Sequence, residues 1–280
     1  MIYLVITVAL MTAWNFIFRG AQRREADMYL VGSVNYVAAA AACYLVARVV
    51  GGEAPSPAVI QLGVWQGIVY VVAFFFQIPS MSAKGIAIVM AFVRLAVVVP
   101  VLASIFMWAE MPRALQTVGI ILAVISLPML TLDKGVGDGR YSTRQLLVFG
   151  GLFATNGIAL VISKCFSVLK TPGQALYYLA ILFAVAALGS FVPLAWRRQP
   201  FRTIEFTWGT ALGLANAGSN LALLVALAHL PGIVVFPVNS CGGIVLAAII
   251  AAILWREIPG KLGFGGIGVA AAALVCLNLK

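Results

Sequence analysis

The sequence predicts an all-α membrane protein: ten transmembrane helices arranged as two inverted five-helix repeats. Three observations predict it. Hydrophobic residues make up 63% of the 280 positions and charged residues only 9%, whereas a soluble domain carries about a quarter. The charges gather between long apolar runs, as expected when a spanning helix needs about 20 uncharged residues to cross the hydrocarbon. Finally, two stretches lying 147 residues apart say nearly the same thing: Met107-Trp108-Ala109-Glu110-Met111-Pro112 and Leu254-Trp255-Arg256-Glu257-Ile258-Pro259. At that offset Trp108 pairs with Trp255, Glu110 with Glu257, Pro112 with Pro259 and Gly119 with Gly266. An apolar chain that repeats itself at half its length is the sequence sign of a transporter built from two structural repeats.

The expected spans, in order, are 1–18, 27–48, 59–78, 83–106 and 114–132, then 144–165, 175–196, 206–228, 232–254 and 261–279. The first lacks a basic start and a small-x-small cleavage site, so it reads as a helix and not as a signal peptide. Between spans lie breakers or charge: Gly20 to Asp27, Gly51 to Pro57, Asp133 to Arg144, Thr171-Pro172-Gly173, and Arg197 to Glu205. Helices follow from the solvent, because lipid offers the backbone no hydrogen bonds. The continuous runs do not fit the alternating segments of about 10 residues that a β-barrel requires. The domain boundary falls between residues 1–135 and 136–280, and five spans per repeat force the halves into opposite orientations. Glycines at 265 and 268, with the alanines at 270–273, suit close helix packing. Gly263-x-Gly265-Gly266 follows no strand and is no dinucleotide fingerprint.

The ten-helix, two-half plan, with a Glu just after the fourth and ninth spans, resembles the drug/metabolite transporter superfamily in its EamA-like branch. Trp14-Asn15 resembles the Trp-x-x-Asn region of that family's first span. Where the family shows Gly-Glu-Arg, this chain has Ala109-Glu110-Met111 and Arg256-Glu257-Ile258. The resemblance covers essentially the whole chain and implies transport by alternating access. The first span lacks the central Glu typical of the related small multidrug exporters.

Arg94 is the residue to single out, at the centre of the fourth span. A charged side chain there costs at least ~2.5 kcal/mol by insertion scales. All eight acidic residues (Glu25, Asp27, Glu53, Glu110, Asp133, Asp138, Glu205, Glu257) lie at or beyond span ends. The partners left are backbone carbonyls, neutral side chains, cavity water, or the carboxylate or phosphate of a substrate gripped bidentately. At the 147-residue offset its mate is Cys241. Neutral polar residues form a second set: Asn15, Asn35, Gln66, Tyr70 and Gln77 in the first half, Asn156, Asn216, Asn220 and Asn239 in the second. Asn216 and Asn220 are i and i+4 and share a helix face, with Ser219 beside them. Gln66, Tyr70 and Gln77 fall near one face of the third span. These two stripes lie on repeat mates and fit a hydrophilic cavity, while any single amide serves equally well as helix–helix glue. Pro237 and Gly242-Gly243 interrupt the ninth span, either exposing helix ends to a substrate or, equally well, as a simple proline kink. Lys84 and Lys164, near span ends, are expected to snorkel to the interface, and His229 to sit in a solvated loop.

The functional classes follow. No HExxH, CxxC, Walker or Ser-x-x-Lys pattern occurs, and the four cysteines have no metal spacing, so no cofactor or metal is expected and the chain is not read as an enzyme. The net charge of +10 reflects basic residues retained at one membrane face, not a nucleic-acid partner. The expected partners are a small-molecule substrate and the lipid bilayer, with a homodimer admitted. The reading is a secondary transporter of a small polar organic metabolite, anionic where Arg94 meets it, working by facilitation or exchange. The runner-up is an exporter of amphipathic or aromatic compounds. The expected location is a bacterial inner membrane with both termini on one side. Twelve basic residues follow the odd-numbered spans and five the even-numbered ones, which puts the termini outside; the family resemblance implies cytoplasmic termini, and the orientation stays open.

Overall fold

A computed structural model of the chain describes residues 2–81, 94–132, 143–197, 202–255 and 260–278. Among the described residues there are ten α-helices, one 3-10 turn at Pro172–Gln174, and no strand. The helices are α1 (Ile2–Arg23), α2 (Met28–Val50), α3 (Pro57–Met81), α4 (Val98–Trp108), α5 (Ala114–Leu132), α6 (Thr143–Val168), α7 (Ala175–Arg197), α8 (Thr203–His229), α9 (Gly232–Trp255) and α10 (Lys261–Asn278). Six of them, α1, α2, α3, α6, α7 and α8, are long and apolar enough to cross a membrane. The other four contribute shorter apolar stretches within the described residues. Lys84, Glu257 and the segment 133–142 lie outside the described residues.

Helix bounds recur at the 147-residue offset. It carries Met28–Val50 onto Ala175–Arg197, and it carries Pro57–Met81 and Ala114–Leu132 onto α8 and α10 to within one residue. The recurrence follows from where breakers sit. Asp27 starts α2 by accepting from the Tyr29 and Leu30 amides at 2.8 and 3.4 Å, which caps donors that have no helical partner. Gly51 stops α2 at φ +73°, a conformation that costs glycine nothing.

The chain forms two compact units, each drawing on both halves: Met1–Ile78 with Ile162–Ala228, and Pro79–Val161 with His229–Lys280. In the first unit α2 packs on α7. The pair runs antiparallel, since Ser33 donates to the Ser190 carbonyl at 3.2 Å while Tyr44 meets Tyr177 toward the other end. Gly213 lets α8 lie directly on α2: a Cβ there would come within 2.5 Å of the Asn35 carbonyl oxygen. Glu205, fully buried, ties the start of α8 to the start of α2. Its carboxylate accepts from the Asp27 amide at 3.3 Å and from the Arg202 guanidinium at 2.8 Å.

In the second unit α5 packs antiparallel on α10, with Gly119 against Leu277 and Met129 against Gly265. Gly268, by contrast, has open space around it. Here α9 runs through Pro237 without a break. The interruption lies instead at Ala96-Val97, before α4. Pro100 accounts for it: its ring crowds the carbonyl four residues back, that of Ala96, and it has no N–H to return the bond.

Candidate functional site

The first unit contains a directional chain of neutral hydrogen bonds. The Tyr70 hydroxyl donates to Asn220 Oδ1 at 3.1 Å. Asn220 Nδ2 donates to the carbonyl and to Oδ1 of Asn216, both at 2.9 Å. Asn216 Nδ2 in turn donates to Asn35 Oδ1 at 3.2 Å. One turn from Tyr70 on α3, Gln66 is almost wholly buried; its Nε2 donates to Ser163 Oγ at 3.0 Å, and its Oε1 accepts from the Tyr178 hydroxyl. The i, i+4 spacing sets both stripes on single helix faces, and the Tyr70–Asn220 bond joins them. Every amide oxygen in this set accepts a bond, as buried polar groups require.

Rings wall the chain. Tyr36 lies at their hub, with centroids 6.2 Å from Tyr70, 5.8 Å from Phe74 and 6.4 Å from Phe183. Tyr70 meets Phe183 edge-on at 6.1 Å, the geometry preferred by ring quadrupoles. Phe166 stacks on Tyr178 at 4.3 Å beneath Gln66.

The remaining expected residues of this unit stand apart from that chain. Asn15 on α1 donates to the Met11 carbonyl at 2.7 Å, within its own helix. Gln77, on α3, is half-buried. Lys164, expected to reach an interface, is instead buried at 5% exposure. His229, expected in a loop, falls in the second unit, as the last residue of α8, and is exposed.

The second unit holds Arg94, Asn156 and Asn239. Arg94 is half-buried just before the break at Ala96-Val97. Its Nη1 lies 3.7 Å from where a Cβ on Gly243 would stand. Its charge reaches the buried Cys241 thiol, the very residue paired with it by the repeat offset. Cys241 Sγ is 3.6 Å from Ser126 Oγ. Asn239 is buried on the same helix as Cys241. Asn156 donates to the Leu152 carbonyl at 2.8 Å and so serves its own helix. An apolar groove between α4 and α5, lined by Val97, Val101, Ile105, Ile121, Val124 and Pro237, presents aliphatic surface that would not orient a polar ligand.

Sequence reasoning left Tyr36, Ser163 and Tyr178 out of the site. In apolar spans a tyrosine reads as packing, and only a tertiary contact distinguishes it.

No family model matches the chain. It is 26% identical over 213 residues, covering 75% of this chain and 72% of the relative, to an uncharacterised protein of Haemophilus influenzae. A protein of known crystal structure superposes with a TM-score of 0.80 at 14% identity, over 99% of this chain and 95% of that one. That likeness establishes a shared fold over nearly the full length.

Proposed function

We propose that the chain is a multi-pass membrane protein acting as a secondary transporter for a small polar organic metabolite, through facilitated diffusion or exchange by alternating access. The observation that carries this reading is the neutral chain Tyr70–Asn220–Asn216–Asn35, half-buried except at the buried Asn35, inside helices that are otherwise apolar. Interhelical amide bonds in lipid contribute only about 0.6 kcal/mol each, so the two that cross between helices here, Tyr70–Asn220 and Asn216–Asn35, add little to stability and suit a polar passage better than helix glue. Membrane embedding is supported by the large apolar side chains left exposed along the helices, among them Val5, Val49, Trp65, Phe106 and Leu188, because a surface of that kind needs an apolar solvent.

The repeat reading, two inverted halves of five helices divided near residues 135 and 136, is supported by three things. Helix bounds recur at the 147-residue offset, repeat mates α2 and α7 pack antiparallel, and so do α5 and α10. Inversion makes mates antiparallel. Each compact unit also pairs a segment of the first half with its counterpart in the second. We read the chain, with this repeat plan, as a relative of the drug/metabolite transporter superfamily in its EamA-like branch, working in a bacterial inner membrane.

Arg94 beside a helix break supplies a cation, and in this reading it meets the anionic group of the substrate. The aromatic cluster around Tyr36 favours one second reading, an exporter of amphipathic or aromatic compounds. A thermal-shift screen of wild type and Arg94→Gln against metabolites separates them, because a ligand of the folded state raises its melting temperature by mass action. Carboxylates or phosphorylated compounds that stabilise wild type alone support the anion reading. Neutral or aromatic compounds that stabilise both equally make Arg94 structural and favour the exporter.

A further inference from the structure

The groove between α4 and α5 has a lining and a mouth that together point to one kind of occupant. It is a cavity of about 130 Å³. Val97, Val101 and Ile105 line it from the α4 side and Thr117, Ile121 and Val124 from α5. Spacings of three and four residues put each set on one face, and Val97 to Ile105 covers about 12 Å along the chain at helical rise. Val97 and Val101 are buried, whereas Leu102 and Ile121, also lining residues, are 46% and 53% exposed and stand on the open side. Thr117 brings the one hydroxyl among the lining residues, and it donates to the Arg113 carbonyl one turn back at 3.1 Å. An engineered apolar cavity of about 150 Å³ stays dry and takes benzene. In a bilayer the apolar guest at hand is hydrocarbon.

The turn from α4 to α5 lies at one end of this groove. Pro112 and Thr117 line it there, and Arg113, which is exposed, falls between them in sequence. The Arg113 amide donates to Gln116 Oε1 at 3.0 Å and its carbonyl accepts from the Thr117 amide at 2.8 Å, so its backbone starts α5. Its guanidinium makes no ion pair among the described residues. Next come the amides of Ala114, Leu115 and Gln116, the first turn of α5, which have no carbonyl of their own helix to bond. A guanidinium beside such a helix start suits a phosphate. Trp108, the last residue of α4, is of the type that gathers at the membrane–water boundary. That fits this end of the groove to headgroup level.

We propose that the groove is a lipid site: one acyl chain of an anionic phospholipid lies between α4 and α5, with its phosphate against Arg113 and the first amides of α5. A free anion would meet Arg113 and leave the groove empty. A plain hydrocarbon would fill the groove and leave the cation unanswered. A phospholipid does both in one molecule. The proposal rests on membrane embedding and not on transport, and it gives the second unit a ligand that is held, not carried.

The test uses the full-length protein, delipidated in uncharged detergent micelles, with phosphatidylglycerol, phosphatidylcholine and inorganic phosphate as probes, read by native mass spectrometry and thermal shift. The two lipids share their chains, but only phosphatidylglycerol carries a net negative charge. Wild type is expected to retain phosphatidylglycerol about fivefold more tightly than phosphatidylcholine, the worth of one arginine near an anionic headgroup, and to melt at a higher temperature with it. Arg113→Gln is expected to remove that preference and to keep the common retention of both lipids. Ile121→Trp, at an exposed position, is expected to fill the groove and to weaken both lipids by about tenfold or more, since several methylenes lose their burial. Val124→Phe carries that arm if Ile121→Trp does not fold. The proposal is overturned if wild type shows no preference for phosphatidylglycerol, if Arg113→Gln keeps the preference, or if the filled variants retain lipid like wild type. Inorganic phosphate that raises the melting temperature as much as phosphatidylglycerol would overturn it too, by making Arg113 a simple anion site. So would a filled variant that loses a dimer yet retains lipid like wild type, because the groove would then belong to a second copy of the chain. Protein that enters vesicles but retains neither lipid would sink the proposal and leave membrane embedding standing. Protein that stays in the aqueous phase without detergent would sink both.

Discussion

At the scale of single residues, the account turns on groups whose bonds can be removed one at a time. Tyr70→Phe deletes the donor to Asn220 and leaves the ring in its cluster. It is expected to lower unfolding stability by about 1 kcal/mol, the usual net worth of one hydrogen bond, measured by denaturation in detergent. Ala109 offers a change in the other direction. It ends α4 at φ +52°, a left-handed conformation that costs a residue with a Cβ about 1–2 kcal/mol. Ala109→Gly relieves that strain against a gain in unfolded-state entropy, and a net stabilisation of about 0.5–1 kcal/mol is expected in the same assay. The resembled family carries glycine at this place in its Gly-Glu-Arg motif, and the backbone gives a physical reason for it. Asn35 and Tyr36 show the limit of reading residues alone. The sequence marks Asn35 as a polar residue in an apolar run, but only tertiary placement shows that its Oδ1 accepts from Asn216 and that the Tyr36 ring packs on Tyr70.

At the scale of helices, close approaches and caps decide what changes are tolerated. Gly213→Ala would push a methyl against the backbone of α2, where no side chain can give way. Overpacking of that kind costs typically 1–3 kcal/mol, and chemical unfolding of the variant is expected to show a loss in that range. Glu110 caps the other unit, its Oε2 accepting from the Ile233 amide at 3.2 Å at the start of α9. Glu110→Gln keeps the shape and removes the charge that favours a helix N-terminus, for an expected loss of about 0.3–1 kcal/mol that added salt diminishes. Most helices were legible in advance because lipid leaves the backbone few alternatives and because breakers punctuate the apolar runs. Of the two readings of Pro237, interruption and simple kink, the continuous α9 fits the second. Pro237 and the glycines after it suggested an interruption in α9, whereas Pro100 disrupts the turn ahead of it at Ala96-Val97 and isolates Arg94 from α4. Two prolines in similar runs act differently, which a linear pattern does not carry.

At the scale of the whole molecule, the 147-residue offset read from the sequence is also the spacing at which helix bounds recur. The same offset that aligns Trp108 with Trp255 aligns helix bounds, joins antiparallel partners in each unit, and brings Arg94 within electrostatic reach of its mate Cys241. The stripes on α3 and α8 were legible from their i, i+4 spacing, and the Tyr70–Asn220 bond joins them. Asn15 and Asn156, drawn from the same reasoning, bond within their own helices, because an amide facing its own backbone has the same sequence signature as one facing a ligand. The central claim is that a bound metabolite is carried across, not merely held. Counterflow tests it most directly: proteoliposomes preloaded with an unlabelled compound that stabilises the protein are diluted into its radiolabelled form, with no ion or pH gradient. The account predicts a transient accumulation of label above equilibrium, absent from protein-free vesicles. Binding without counterflow, or uptake that appears only under an imposed proton gradient, would contradict it.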